Sequence, residues 1–214
     1  MNQTHGIFIS VEGSDGAGKG SNIEVVREWF ESHSREVVLT REPGGTPLGE
    51  KLRCLLLDND SASVSPMAEL LLMFAARAQH IEDVIQPALS EGRVVISDRF
   101  TDASFAYQSG GRGLEINQVE QLKKLVQKEL QPDLTLLLDV PVDVGLARVV
   151  NRGESDRFDA ESLDFRTRVR ESYLQLAKNE PDRIVIINAD RILKSVQQEI
   201  VVALETRFLD LVSK

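Results

Sequence analysis

The chain has 214 residues, 42% of them hydrophobic and 28% charged, and a net charge of −9 at pH 7. This length carries one α/β domain with a full core or two small domains, and one domain, the simpler account, is the expectation for residues 1–214. The acidic balance excludes broad non-specific binding to nucleic acid or to an anionic membrane, but a local arginine cluster can still oppose the overall field.

A first strand is expected at 6–11, running into the glycine-rich segment 12–21 and a helix at 23–33. A second strand at 36–40 leads into 41–49, a stretch with two prolines and three glycines that reads as an irregular loop. Cys54 is the single cysteine and can form no intramolecular disulfide; within the run 51–57 it reads as a buried helical thiol. Helical periodicity covers 66–90, a strand follows at 93–97, and a helix is expected at 117–130. The strand 134–140 precedes a helix at 142–152. The charged stretch 151–161 reads as an exposed flap between that helix and the next, at 162–179. A fifth strand at 183–187 and a helix at 193–211 complete the pattern. The strands are short, β-branched and almost continuously apolar, as parallel strands covered on both faces are. Their alternation with helices predicts a five-stranded parallel sheet between two helical layers, α/β/α, with right-handed crossovers. No run approaches the ~18 apolar residues of a membrane span. The N-terminus also lacks a secretory pattern, so the cytoplasm is the expected location.

Gly13, Gly18 and Lys19 fit G-x-x-x-x-G-K between a strand and a helix, which is the confirming context for a phosphate loop. Glycines let successive backbone amides point at phosphate oxygens, and the following helix adds the positive end of its dipole. The expected ATP-binding set is Gly13, Ser14, Asp15, Gly16, Ala17, Gly18, Lys19, Gly20 and Ser21. Lys19 supplies a point charge for the transferring phosphate. Gly20 stands where the motif usually has a hydroxyl for Mg²⁺, so the metal is expected on phosphates, water and the carboxylate of Asp98.

A phosphate loop alone implies a nucleotide, not a reaction. A kinase needs a second phosphate site, and Arg41, Arg53, Arg77 and Arg99 lie near strand ends or on helices flanking the sheet. Asp98-Arg99 follows the third strand directly, which puts both at the mouth of the sheet. There is no Asn-Lys-x-Asp guanine-reading motif, so a GTPase switch loses support.

Several blocks then resemble the bacterial thymidylate kinase family: the loop 12–19, Thr40-Arg41-Glu42-Pro43-Gly44-Gly45-Thr46, Phe74-Ala75-Ala76-Arg77-Ala78-Gln79-His80 and Asp98-Arg99 through Tyr107-Gln108. Gly110-Gly111-Arg112-Gly113 and Pro132-Asp133 also match, so the likeness runs from about residue 6 to about residue 190. The resemblance implies Mg²⁺-dependent transfer from ATP to dTMP. It gives Asp15 the sugar 3′-hydroxyl of the acceptor; Arg99, with Arg53 or Arg41, its phosphate; Arg77 a thymine carbonyl; and Ser104 and Gln108 the base edge. Tyr107 is placed beside C2′. Met73 stands where the family usually has a stacking aromatic, with Phe74 one step later, so either is a candidate for the base. Phe100 replaces the motif's tyrosine or histidine. The catalytic set is Lys19, Asp98, Arg99 and a lid arginine. Arg152 is the first candidate, beside Arg157 and Arg148, the last also assigned to the ATP-binding set, in a lid at about 148–160 that closes over ATP. Asn188-Ala189-Asp190 falls where the family meets adenine, and the family's homodimers implicate the helix carrying Leu70-Leu71-Leu72. Two other readings stay open: a different nucleoside monophosphate or deoxynucleoside kinase, and a P-loop ATPase with no small acceptor.

Overall fold

The computed structural model describes residues 5–58, 64–152, 157, 158 and 160–212, without the side chains of 151, 152 and 212. Among them, five strands form one parallel sheet: β1 (Ile7–Glu12), β2 (Val37–Arg41), β3 (Val94–Asp98), β4 (Leu134–Asp139) and β5 (Ile184–Asn188). Their spatial order is β2-β3-β1-β4-β5. Each lies within one residue of its expected position. The register pairs Ile9 with Ile96 on one side of β1 and with Leu134 on the other.

The helices are α1 (Lys19–Ser32), α2 (Pro47–Leu57), α3 (Pro66–His80), α4 (Gln86–Ser90), α5 (Thr101–Ser104), α6 (Ile116–Val126), α7 (Val142–Arg152), α8 (Leu163–Asn179) and α9 (Leu193–Val212). π-Helical segments join α3 to α4 (Ile81–Ile85) and extend α5 (Phe105–Gly111). The local signals are chemical. Thr46, Ser65 and Ser162 cap α2, α3 and α8 by accepting from Gly49, Ala68 and Phe165 amides, and Pro47 and Pro66 occupy first-turn positions that need no donor.

Side chains of β1 alternate between two layers. Ile7, Ile9 and Val11 join the core under α1 and α9, where Phe30 and Phe208 meet and Val196, Ile200 and Leu204 repeat every four residues. Phe8 packs on the opposite layer against Phe100 and Ile85. Burying one such ring fully contributes roughly 1.5–3 kcal/mol. The chain leaves β1 toward β2 and β3, then crosses to β4 on the other side of β1. The loops after β1 and β3 therefore open at the reversal point of the sheet, where α/β proteins bind ligands.

Two local expectations are corrected. The stretch 41–49 is not loop throughout, because Thr46 caps a helix that begins at Pro47. Cys54 is exposed rather than buried. α2 turns Leu56 fully inward, and two residues along a helix is a rotation of about 200°. A helical run at 101–111, for which the sequence carries no expectation, sets Gly110 and Gly111 against α8. Gly111 is required there by close packing: a Cβ on it would lie 2.5 Å from the Phe165 ring of α8.

Candidate active site

The end of β1 feeds the phosphate loop, whose Gly13, Gly16 and Gly18 take φ of 142°, 82° and 83°. The Ala17 amide donates to the Ser14 carbonyl, and Lys19 opens α1. Lys19 Nζ lies 3.9 Å from Asp98 Oδ1, the last residue of β3. Burial pushes the Lys19 ammonium below its ordinary value, with Arg99 adding to that push; the carboxylates of Asp98 and Asp15 act against it.

Arg99 adopts a left-handed backbone, φ 70°, which costs a non-glycine residue about 1 kcal/mol or more. Three hydrogen bonds hold it there. Its amide donates to the Val11 carbonyl (3.0 Å), Ser97 Oγ donates to its carbonyl (2.7 Å), and the next amide, Phe100, donates to Glu12 Oε1 (2.6 Å). The side chain is thereby aimed at the phosphate loop. Arg99 Nη2 donates to Asp15 Oδ1 at 2.6 Å and to the Tyr107 hydroxyl at 2.9 Å, and that hydroxyl donates to Asp15 Oδ2 at 3.1 Å. Burial acts to raise the Asp15 carboxyl, but Arg99 and Lys19 outweigh it and hold the group well below the usual carboxylate range.

Glu12 faces the layer opposite Val11 and is fully buried. It accepts from Phe100 N and, on its other oxygen, from the Tyr173 hydroxyl at 2.8 Å. Burial and the nearby Asp102 prevail over these donors and push its carboxyl up to about 8.

Arg99 shares a cavity of about 420 Å³ with Arg53 and Arg41. Arg41 is braced by Glu50 at 2.9 Å, and Arg53 Nη1 donates to the Pro43 carbonyl at 3.0 Å. Burial lowers the Arg53 guanidinium, and repulsion from Arg41 and Arg99 lowers it further. Three converging cations of this kind are stabilised by a dianion.

The other end of the cavity is built on Arg77, which is 2% exposed. Its Nε donates to Glu42 Oε2 (2.7 Å), Nη1 to Ser104 Oγ (3.1 Å) and Nη2 to the Phe100 carbonyl (3.2 Å). Glu42 Oε1 accepts from His80 Nδ1 at 2.9 Å, and His80 Nε2 bonds Thr40 Oγ1, so the end of β2 fixes a guanidinium on α3. Met73, Gln108 and Phe158 line the same end.

Asp98 Oδ1 is buried and accepts no hydrogen bond. It is a hard oxygen beside the phosphate loop, which suits Mg²⁺ bound mainly through phosphates and water; no cluster of three ligating side chains is present among the described residues. On the far side of the loop, Arg148 Nη1 donates to the Gly16 carbonyl (3.3 Å) and to that of Ala189 (3.1 Å) beyond β5.

A family model described as Thymidylate kinase matches residues 11–200. The chain belongs to the thymidylate kinase family. It is 52% identical over 195 residues to a thymidylate kinase of Ectopseudomonas mendocina, covering 91% of this chain and 93% of that one. It is likewise 52% identical over 201 residues to one from Neisseria gonorrhoeae, covering 94% and 97%. A crystal structure of thymidylate kinase from Ehrlichia chaffeensis superposes with a TM-score of 0.77 at 32% identity, covering 94% of this chain and 99% of that one.

The structure brings Asp15, Lys19, Arg41, Arg53, Met73, Arg77, Asp98, Arg99, Ser104, Tyr107 and Gln108 to one cavity. Phe74 does not reach it. One residue beyond Met73 on α3, it turns into the core with Leu70, Phe105 and Val119, and its ring lies 4.5 Å from the Arg77 guanidinium carbon. The Arg152 side chain and residues 153–156 lie outside the described residues. Arg157 donates to Glu69 of α3 at 2.7 Å. Glu12, Glu42 and Glu69 carry no signal of a role in the sequence. Glu42 stands in the 40–46 block, but nothing there distinguishes a buried partner of Arg77 from a surface acid.

Proposed function

We propose that this chain transfers the γ-phosphoryl group of ATP to dTMP, giving ADP and dTDP. The observation that carries the reading is one cavity with a phosphate loop at its mouth and a second cationic cluster across it, ending in a polar pocket. Residues 13–21 cradle the ATP phosphates through backbone amides. Arg148, bridging the Gly16 and Ala189 carbonyls, closes the adenine side. Arg99, Arg53 and Arg41 hold the dTMP phosphate. Asp15, charged and fixed by Arg99 and Tyr107, accepts from the sugar 3′-hydroxyl, and Tyr107 packs beside C2′. Met73 lies along the base, while Arg77, Ser104 and Gln108 read its polar edge.

An oxygen of the dTMP phosphate attacks Pγ as the bond from Pγ to the β-bridging oxygen breaks, and that electron pair leaves on ADP. Lys19 and Arg99 stabilise charge on the transferring group, and alignment supplies most of the acceleration. Mg²⁺, held by phosphate oxygens, water and Asp98, would neutralise charge on the β- and γ-phosphates. Lid arginines, Arg152 among them, belong to a segment at about 148–160 that closes over ATP and excludes water. We further assign the chain one kinase domain, a homodimer through the α3 face where Leu71 is half exposed, and a cytoplasmic site of action. No helix among the described residues is long and apolar enough to cross a membrane.

The test is ADP release with ATP, Mg²⁺ and a panel of acceptors. The reading predicts strong turnover with dTMP, less with dUMP, and little with dCMP, AMP or no acceptor. Acceptor-independent turnover would point instead to an ATPase.

A further inference from the structure

We propose that Glu69 fixes the orientation of the Gln108 amide and so gives the acceptor pocket its preference for a base with a proton on N3. The inference rests on the dTMP reading above. Glu69, Met73 and Arg77 stand four residues apart on α3, so they share one face, and Ser104 and Gln108 stand four apart on the helical run facing it. The two stripes are bridged at both ends. Arg77 Nη1 donates to Ser104 Oγ at 3.1 Å, and Gln108 Nε2 donates to Glu69 Oε1 at 2.9 Å.

Glu69 is fully buried, yet it is richly partnered: besides Gln108 it accepts from Arg112 Nε at 3.2 Å and Arg157 Nη2 at 2.7 Å. A carboxylate between two guanidinium groups only accepts. The amide nitrogen of Gln108 must therefore face Glu69, which leaves its carbonyl oxygen for the cavity that Gln108 lines. An acceptor at that position pairs with N3–H of thymine or uracil and opposes the lone pair on N3 of cytosine. Arg77, a donor, matches a 4-carbonyl and opposes a 4-amino group. Both discriminations leave a buried polar group unpaired with the wrong base, the strong form of selectivity. Without Glu69 the amide, whose oxygen and nitrogen are nearly isosteric, is free to turn over and offer its NH₂ to cytosine.

The experiment compares kcat/KM for dTMP, dUMP and dCMP in the wild type, Glu69→Gln and Arg112→Met. Glutamine at 69 both donates and accepts, so either orientation of Gln108 is satisfied. The dTMP-to-dCMP ratio should fall by roughly tenfold or more, mainly through KM, with dUMP following dTMP. Arg112→Met removes a partner of Glu69 without touching Gln108 and should leave the ratio in place. An unchanged ratio in Glu69→Gln, or an equal collapse in both variants, overturns the proposal. A wild type that does not use dTMP defeats the underlying reading instead. Should Glu69→Gln fail to fold, ¹⁵N NMR of the wild type decides. The Gln108 side-chain amide, assigned by its loss in Gln108→Met, should exchange slowly with solvent in the free enzyme, and fast exchange contradicts a bond to a buried carboxylate.

Discussion

The Asp15 carboxylate meets the Arg99 guanidinium at 2.6 Å, tying the phosphate loop to the turn after β3. Arg99 is thereby held by the phosphate loop while lining the same cavity as Arg53 and Arg41. The fork matters as much as the charge: Nη2 alone makes the bonds to Asp15 and, at 2.9 Å, to the Tyr107 hydroxyl, which leaves Nη1 for the cavity that Arg99 lines. Arg99→Lys keeps the charge and loses this geometry. Steady-state kinetics should show kcat/KM for dTMP down by about a hundredfold or more, with the KM for ATP little changed. A loss under about threefold would remove Arg99 from the transferring group.

Arg77 is expected to matter twice. Its removal leaves Glu42 buried beside His80 with its strongest partner gone, and breaking a buried ion pair from one side costs about 3–5 kcal/mol. Arg77→Ala should lower the melting temperature by roughly 6–20 °C for a chain of this size. It should also reduce activity on dTMP more than on dCMP. A melting temperature within about 2 °C of the wild type would mean the Glu42–Arg77 pair contributes nothing net.

Glu12 predicts a pH dependence of stability. Its carboxyl ionises at the ordinary 4.5 when the chain is unfolded and at about 8 when folded, so the folded state binds the proton more tightly. The contribution is fully present below 4.5 and is lost as pH rises through 8. In urea denaturation the stability of the wild type should fall from pH 5 to pH 9 relative to Glu12→Gln, whose side chain does not ionise. Parallel profiles for the two would show that burial does not raise this group.

The sheet was legible in the sequence because every strand is a short apolar run with no helical alternative. The phosphate loop was legible because its spacing is fixed by phosphate geometry. Asp98-Arg99 was found by position at a strand end, which the topology then placed opposite the loop. What the sequence hid were the buried acids. Glu12, Glu42 and Glu69 look like ordinary surface charges until the fold surrounds them with Phe100 N, Arg77 and Gln108. The choice between Met73 and Phe74 needed the rotation of α3, since one residue turns a helical side chain by about 100° and sends one into the cavity and the other into the core.

Gly20 lies in the first turn of α1, and a Cβ built on it meets nothing within 4 Å. Gly20→Ser should therefore be accommodated, stabilise the helix by about 0.5 kcal/mol, and add a hydroxyl near the phosphates. A Mg²⁺ titration of activity should show half-saturation at lower metal. An unchanged requirement would leave metal binding to Asp98, water and the nucleotide alone.

If the two cationic sites serve one transfer, the γ-phosphate of ATP must be recovered on dTMP, and following the phosphate itself tests this. The chain is incubated with Mg²⁺, ATP radiolabelled at the γ-position and unlabelled dTMP, and the products are separated chromatographically. Direct transfer predicts label in dTDP, none appearing as free phosphate above background, and loss of that transfer in Arg99→Lys. Label recovered as inorganic phosphate at the same rate with and without dTMP would contradict it.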